Sequence, residues 1–220
     1  MRNTLKLLLS YTVIRQYERR ILLFNKPAYI RLLHASPNAP SVDVYANGQL
    51  LFRDLKYGKS TRYLEVDSGV VRIQIFVAGT RKNPVIIKNL WVFARTHSTV
   101  AIINKLDNIA LQKINEPEIN HYLNRSLIRA IHLSPNAPAV DVLTEDGVKL
   151  FSDLAYKQVS MYKPVAAGKH TLKINVAGTD KTVLTVKDVE LKKGKIYSVY
   201  VIGLVHTEPQ LSALILEDKS

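Results

Sequence analysis

Four side chains with chemical capacity, His34, Ser36, Asn38 and Asp43, lie within ten residues of this 220-residue chain, and the same types recur as His132, Ser134, Asn136 and Asp141. His, Ser and Asp are the types of a hydrolase triad, in which Asp orients His and His activates Ser. Yet all three are crowded into one short stretch, and neither a nucleophile elbow nor an oxyanion loop is evident. His34, Asn38 and Asp43 could hold a hard cation through carboxylate and carbonyl oxygens, but carboxylates are sparse around them. The remaining reading is local: the four side chains close a turn by bonding nearby backbone. Their repetition fits it, because two modules that make the same turn need the same device. We therefore expect no catalysis, no metal and no cofactor.

The repetition extends well beyond the four residues. IRLLHASPNAPSVDV at 30–44 and IRAIHLSPNAPAVDV at 128–142 agree at eleven of fifteen positions. The register shifts by one where Ala46-Asn47-Gly48 is answered by Thr144-Glu145-Asp146-Gly147, a change that a hairpin loop tolerates. It then holds through Asp54 and Asp153, Tyr57 and Tyr156, Tyr63 and Tyr162, and the tetrads Val77-Ala78-Gly79-Thr80 and Val176-Ala177-Gly178-Thr179. The expected organisation is an N-terminal basic amphipathic extension (1–27), a first module (28–116), a linker (117–126) and a second module (127–220).

Each module reads as β-structure. Short runs rich in β-branched residues are separated by Gly, Pro, Asn and Asp. In 70–77, Val71, Ile73, Ile75 and Val77 share one face and Arg72 and Gln74 the other, the signature of a half-buried strand. In the turn, Pro37 cannot donate to a ladder and stops a strand, Asn38 tolerates left-handed φ, and Pro40 sends the chain extended into Val42-Asp43-Val44. About seven strands per copy predict an all-β fold, two tandem immunoglobulin-like β-sandwiches with a short N-terminal extension of helical spacing. The chain has no cysteine, so no disulfide joins the sheets.

The run HASPNAPSVDVYANG followed by a VAGT turn resembles the bacterial family called domain of unknown function 4397, and both copies resemble it. The resemblance implies a small β-sandwich, often in tandem, often in exported or surface-associated proteins, with no established catalytic role. It also implies deposition on a spore or cell surface as an alternative to cytoplasmic residence.

The net charge is +13. Residues 28–116 carry twelve Lys/Arg against six Asp/Glu, while residues 127–220 carry twelve against ten, so the positive field belongs to the N-terminal half. Such a field draws nucleic acid, anionic polymers or anionic lipid. The arginines of the first copy read as solvated strand faces without interleaved base-stacking aromatics, which argues against specific nucleic-acid recognition. Residues 1–27 make a poor signal peptide and a poor spanning helix, being interrupted by Lys6 and Ser10 and followed by Arg15, Glu18, Arg19 and Arg20. Leu5, Leu9, Thr12, Val13 and Tyr17 share a face at helical spacing; the expected cover for that face is protein, either the first sandwich of the same chain or a neighbouring subunit, the latter giving self-association through this arm, with contact to an anionic membrane surface as the alternative. We expect a non-catalytic structural or adhesive protein of the envelope or spore surface. The alternative is a carbohydrate- or anionic-polymer-binding module, and a hydrolase comes third. Candidate binding residues are Tyr45, Tyr57 and Tyr63: exposed on a concave sheet face they indicate a ligand platform, and packed they indicate a structural role.

Overall fold

The computed structural model describes residues 26–119 and 124–219. The expectations for residues 1–25 and for 120–123 of the linker lie outside the described residues. The first module contains β1 (Ala28–His34), β2 (Val42–Ala46), β3 (Gln49–Leu55), β4 (Leu64–Val66), β5 (Gly69–Val77), β6 (Ile86–Val92), β7 (His97–Ile103) and β8 (Ala110–Glu116). The second contains β9 (Ser126–His132), β10 (Val140–Thr144), β11 (Lys149–Leu154), β12 (Lys163–Val165), β13 (Gly168–Val176), β14 (Thr182–Leu191), β15 (Ile196–Ile202) and β16 (Ser212–Asp218). Each module is thus a sandwich of two four-stranded sheets, and the only helical element among the described residues is a 3-10 turn, Leu106–Asn108.

The sheet orders repeat: β4-β1-β7-β8 and β3-β2-β5-β6 in the first module, β12-β9-β15-β16 and β11-β10-β13-β14 in the second. Among the strands described, β1 with β7 and β9 with β15 are the parallel pairs. The β2–β3 hairpin closes on Asn47-Gly48 with φ of +50 and +82°, the left-handed pair that a two-residue hairpin turn with matching twist requires. Asp54 and Asp153, at φ +54 and +51°, lie on β3 and β11, where the pairing with β2 and β10 shifts register. There the bulge turns a backbone N–H out of the ladder.

Three apolar clusters hold the molecule. One fills the first sandwich around Ile30, Leu32, Val44, Ile73 and Ile102, and a second fills the other sandwich around Ile128, Val142, Ile174 and Val199. The third lies between the modules: Leu33, Ala35, Ala101, Ile103 and Ile114 meet Ile131, Leu133, Tyr200 and Ile202. The inner sheets β4-β1-β7-β8 and β12-β9-β15-β16 are therefore covered on both faces, and the chain stacks into four layers. This accounts for the unbroken burial of β9 and β15. A strand covered on one face alternates, whereas one covered on both reads apolar throughout.

Candidate functional site

The motif residues come together in both modules, and the His, Asn and Asp side chains, though not the Ser hydroxyls, bond to backbone. His34 Nε2 lies 3.0 Å from the Pro40 carbonyl, and His132 Nε2 lies 3.0 Å from that of Pro138. Each imidazole thereby closes the Ser-Pro-Asn-Ala-Pro loop on itself. The Asn38 side chain accepts from the Leu106 N–H at 2.8 Å, and Asn136 both accepts from the Val205 N–H at 2.9 Å and donates to the Val205 carbonyl at 3.1 Å. Asp43 accepts from the N–H of the bulge residue Asp54 at 2.8 Å and from the Gly79 N–H at 3.0 Å. Asp141 repeats this with Asp153 at 2.8 Å and Gly178 at 3.2 Å, and adds Lys149 at 2.6 Å. One carboxylate thus ties the start of the PNAPxVDV strand to the VAGT turn.

These bonds separate the parts of a triad. The imidazole faces a carbonyl instead of a serine hydroxyl, and the carboxylate is held by peptide N–H groups far along the chain. Ser36 and Ser134 are fully buried, and neither hydroxyl has a hydrogen-bond partner. Burial keeps both histidines below their ordinary pKa against the opposing bonds to Pro40 and Pro138, which favours the neutral imidazole. Among the described residues, no three His, Cys, Asp or Glu side chains gather as a metal site. Of two surface depressions, one of about 420 Å³ beside Lys181 and His206 is lined in part by Val205, the backbone partner of Asn136, and one of about 290 Å³ lies beside Asn47 and Asp67.

A polar cluster missed at the sequence level lies between the inner sheets. Arg31 is only 4% exposed, which corrects the expectation that the first copy's arginines are solvated. Its guanidinium reaches Asp218 at 2.6 Å, Glu116 at 3.3 Å and the Glu217 carbonyl at 2.8 Å. Arg129 answers it by an approximate twofold relation, reaching the Asn115 carbonyl at 2.8 Å, the Ser198 hydroxyl at 2.7 Å and Asp218 at 3.5 Å. Tyr63 caps Arg31, with the guanidinium 4.9 Å from the ring centre and the hydroxyl donating to Glu116; Tyr162 caps Arg129 at 4.6 Å and donates to Asp218. The fully buried Tyr200, which stands where the first copy has the small Ala101, donates to Thr99 at 3.1 Å. Burial first, then Asp218, raises the Glu116 carboxyl against the pull of Arg31. The signal was present in the sequence: an arginine at the same register of an otherwise apolar strand in both copies.

The three candidate tyrosines are packed. Tyr45, 9% exposed, meets Phe76 edge-on at 5.3 Å and lies under Arg81 at 4.8 Å. Tyr57 meets His34 edge-on at 6.1 Å, and burial pushes its hydroxyl up to about 12. Tyr63 belongs to the interface cluster. The exposed aromatics lie elsewhere, on β6 and just beyond it: Trp91, 54% exposed, and Phe93, 59% exposed, have ring centres 6.4 Å apart.

No curated protein matches the chain. Solved structures do, two of them as follows. The C-terminal domain of AlgF from P. aeruginosa is 22% identical, over 43% of this chain and 99% of that one, with a TM-score of 0.34. CBMbc, a family CBM26 module of Eubacterium rectale Amy13K solved in complex with maltoheptaose, is 10% identical, over 87% of this chain and 98% of that one, with a TM-score of 0.28. The sequence profile of one family matches twice, at residues 28–143 and 126–220, and the two matches start just before the first and the second copy of the His-x-Ser-Pro-Asn-Ala-Pro-x-Val-Asp-Val turn. The chain accordingly belongs to the family described as domain of unknown function (DUF4397), which it carries in two tandem copies.

Proposed function

We propose that this protein is a non-catalytic contact protein, structural or adhesive, of the bacterial envelope or spore surface, and that it works through protein–protein or protein–polymer contacts. One observation supports this above the others: in both copies the histidine and carboxylate with catalytic potential are bonded to backbone, and the copies are joined by a core of their own. Such an arrangement makes a stiff block with two outward sheets. The family resemblance supports the surface location. Co-sedimentation of the full chain with insoluble envelope material tests the reading, alongside assays of ester, glycoside and phosphoester hydrolysis. Turnover abolished by Ser36→Ala or His34→Ala would overturn it.

The second reading, a carbohydrate- or anionic-polymer-binding module, is favoured by the exposed Trp91 on the outward sheet of the more basic module. Self-association through residues 1–27 is a separate proposal. Light scattering should show a larger mass for the intact chain than for one lacking residues 1–26, and equal masses would dismiss it.

A further inference from the structure

Duplication supplies an internal control for surface chemistry, because a feature that maintains the fold should occur in both copies. The outward face of the β3-β2-β5-β6 sheet does not. Its register places Val70 beside Trp91, Arg72 beside Asn89 and Gln74 beside Ile87, all pointing away from the core residues Val71, Ile73 and Ile75. Val70, Ile87 and Trp91 are each more than half exposed. At the equivalent place in the second module, the pair Val70–Trp91 is replaced by Lys169–Glu190. An ordinary charged pair is enough for that position in a stable sandwich, so the apolar pair serves something other than folding.

The chemistry of the face narrows what covers it. The apolar ends, Trp91 and Ile87, lie about 13 Å apart along β6, four steps of ~3.3 Å. Between them lie two amides and a guanidinium and, at these six positions, no carboxylate. Arg81 extends the positive charge over Tyr45. A second copy of the same face would set arginine against arginine. A bilayer would have to desolvate the central amides without partners for them. A sugar chain offers C–H faces for an indole ring, hydroxyls for Asn89 and Gln74, and, if it is acidic, a carboxylate for the fork of Arg72.

We propose that this face binds an acidic polysaccharide, with Trp91 stacked on the sugar rings and Arg72 pairing with a carboxylate. The inference rests on the contact reading above and names the site and the ligand class for it.

Trp91 is the chain's single tryptophan, so its emission reports the site directly. Titration of the full chain with polygalacturonate should shift the emission to the blue and protect it from acrylamide, while the methyl-esterified polymer binds at least tenfold more weakly. By co-sedimentation, Trp91→Ala should lose at least tenfold in affinity. Arg72→Gln should reduce the preference for acid over ester to less than twofold, and Lys169→Ala should bind like wild type. All three positions are exposed, and circular dichroism checks that each variant is folded. Equal binding of acid and ester, unchanged binding by Trp91→Ala, or no binding of polygalacturonate at all would overturn the inference. The contact reading would then still stand or fall by envelope co-sedimentation. Partition onto phosphatidylglycerol vesicles in place of the polysaccharide would overturn it in favour of a membrane face. A red shift of the free protein on removal of residues 1–25 would overturn it in favour of cover by the chain's own N-terminal segment.

Discussion

At the scale of single residues, the motif carboxylates are clamps. Asp43 and Asp141 each satisfy two peptide N–H groups from different parts of their module. Replacing either by Ala should cost about 1–3 kcal/mol in chemical denaturation, the price of leaving buried donors unpaired. Calcium or zinc should leave the Tm of the wild-type protein unchanged. Burial alone would raise the Asp141 carboxyl, but the bonds from Lys149, Asp153 and Gly178 outweigh it and hold the group below its ordinary value. Its contribution is therefore present above about pH 4 and lost as pH falls through the lower folded-state value. The histidines act at higher pH. Because folding lowers the pKa of His34 and His132, the unfolded chain takes up protons first as pH drops below 6.5. Thermal scans between pH 7.5 and 5 should show Tm falling through that window, and a Tm that rises on acidification would count against neutral buried imidazoles. The turn itself was legible because Pro37 and Pro40 act on their own neighbours and His34 bonds the Pro40 carbonyl six residues on, whereas the partners of Asn38 and Asp43, Leu106 and Gly79, lie 68 and 36 residues away and were not readable locally. Nor was Arg31, because its burial depends on a partner 187 residues away, and from one strand alone an arginine looks solvated.

At the scale of elements, the two copies differ where one needs room. Asn104 follows β7 at φ +67° and accepts a hydrogen bond from Tyr156 of the other module; the equivalent residue after β15 is Gly203, at φ +93°. A Cβ on Gly203 would lie 2.2 Å from the Gln210 carbonyl oxygen, so the 204–210 loop excludes any side chain there. The hydroxyl of Tyr57, the counterpart of Tyr156, correspondingly lacks a partner. Tyr57→Phe should then be neutral or stabilising, whereas Tyr156→Phe should cost about 0.5–1.5 kcal/mol in urea titrations. Gly203→Ala should cost more than Gly48→Ala, where the added methyl meets nothing within 4 Å and only the left-handed φ, a penalty of about 1–2 kcal/mol, opposes it. The strands, the hairpin at Asn47-Gly48 and the longer one at Glu145-Asp146-Gly147 were readable from local pattern. The short β4 and β12 were not, since three residues carry no periodicity.

At the scale of the whole molecule, a polar linker and a clean repeat suggest two beads on a string, and the inner sheets tell otherwise. Period-two alternation cannot reveal a second covered face, so the third core was invisible until the modules were seen side by side. A shared core predicts one calorimetric transition for the full chain, with van't Hoff and calorimetric enthalpies in agreement. Two resolved transitions would mean that the interface is dispensable. Arg31→Met, which leaves Glu116 and Asp218 without their common cation, should lower that single Tm and cost about 3–5 kcal/mol. The parallel pairing of β1 with β7 also has a consequence for synthesis. Among the described residues, β1 lies inside a sheet that is completed only by β7 and β8, and the outer side of that sheet is covered by strands of the second module. Arg31 must wait for Asp218 to leave the ribosome, roughly 10–40 s later at ordinary elongation rates, and during that interval a half-made protein presents a bare apolar wall. Its greatest exposure to aggregation and to chaperones therefore falls in that interval, when the first module is already complete and the second is not.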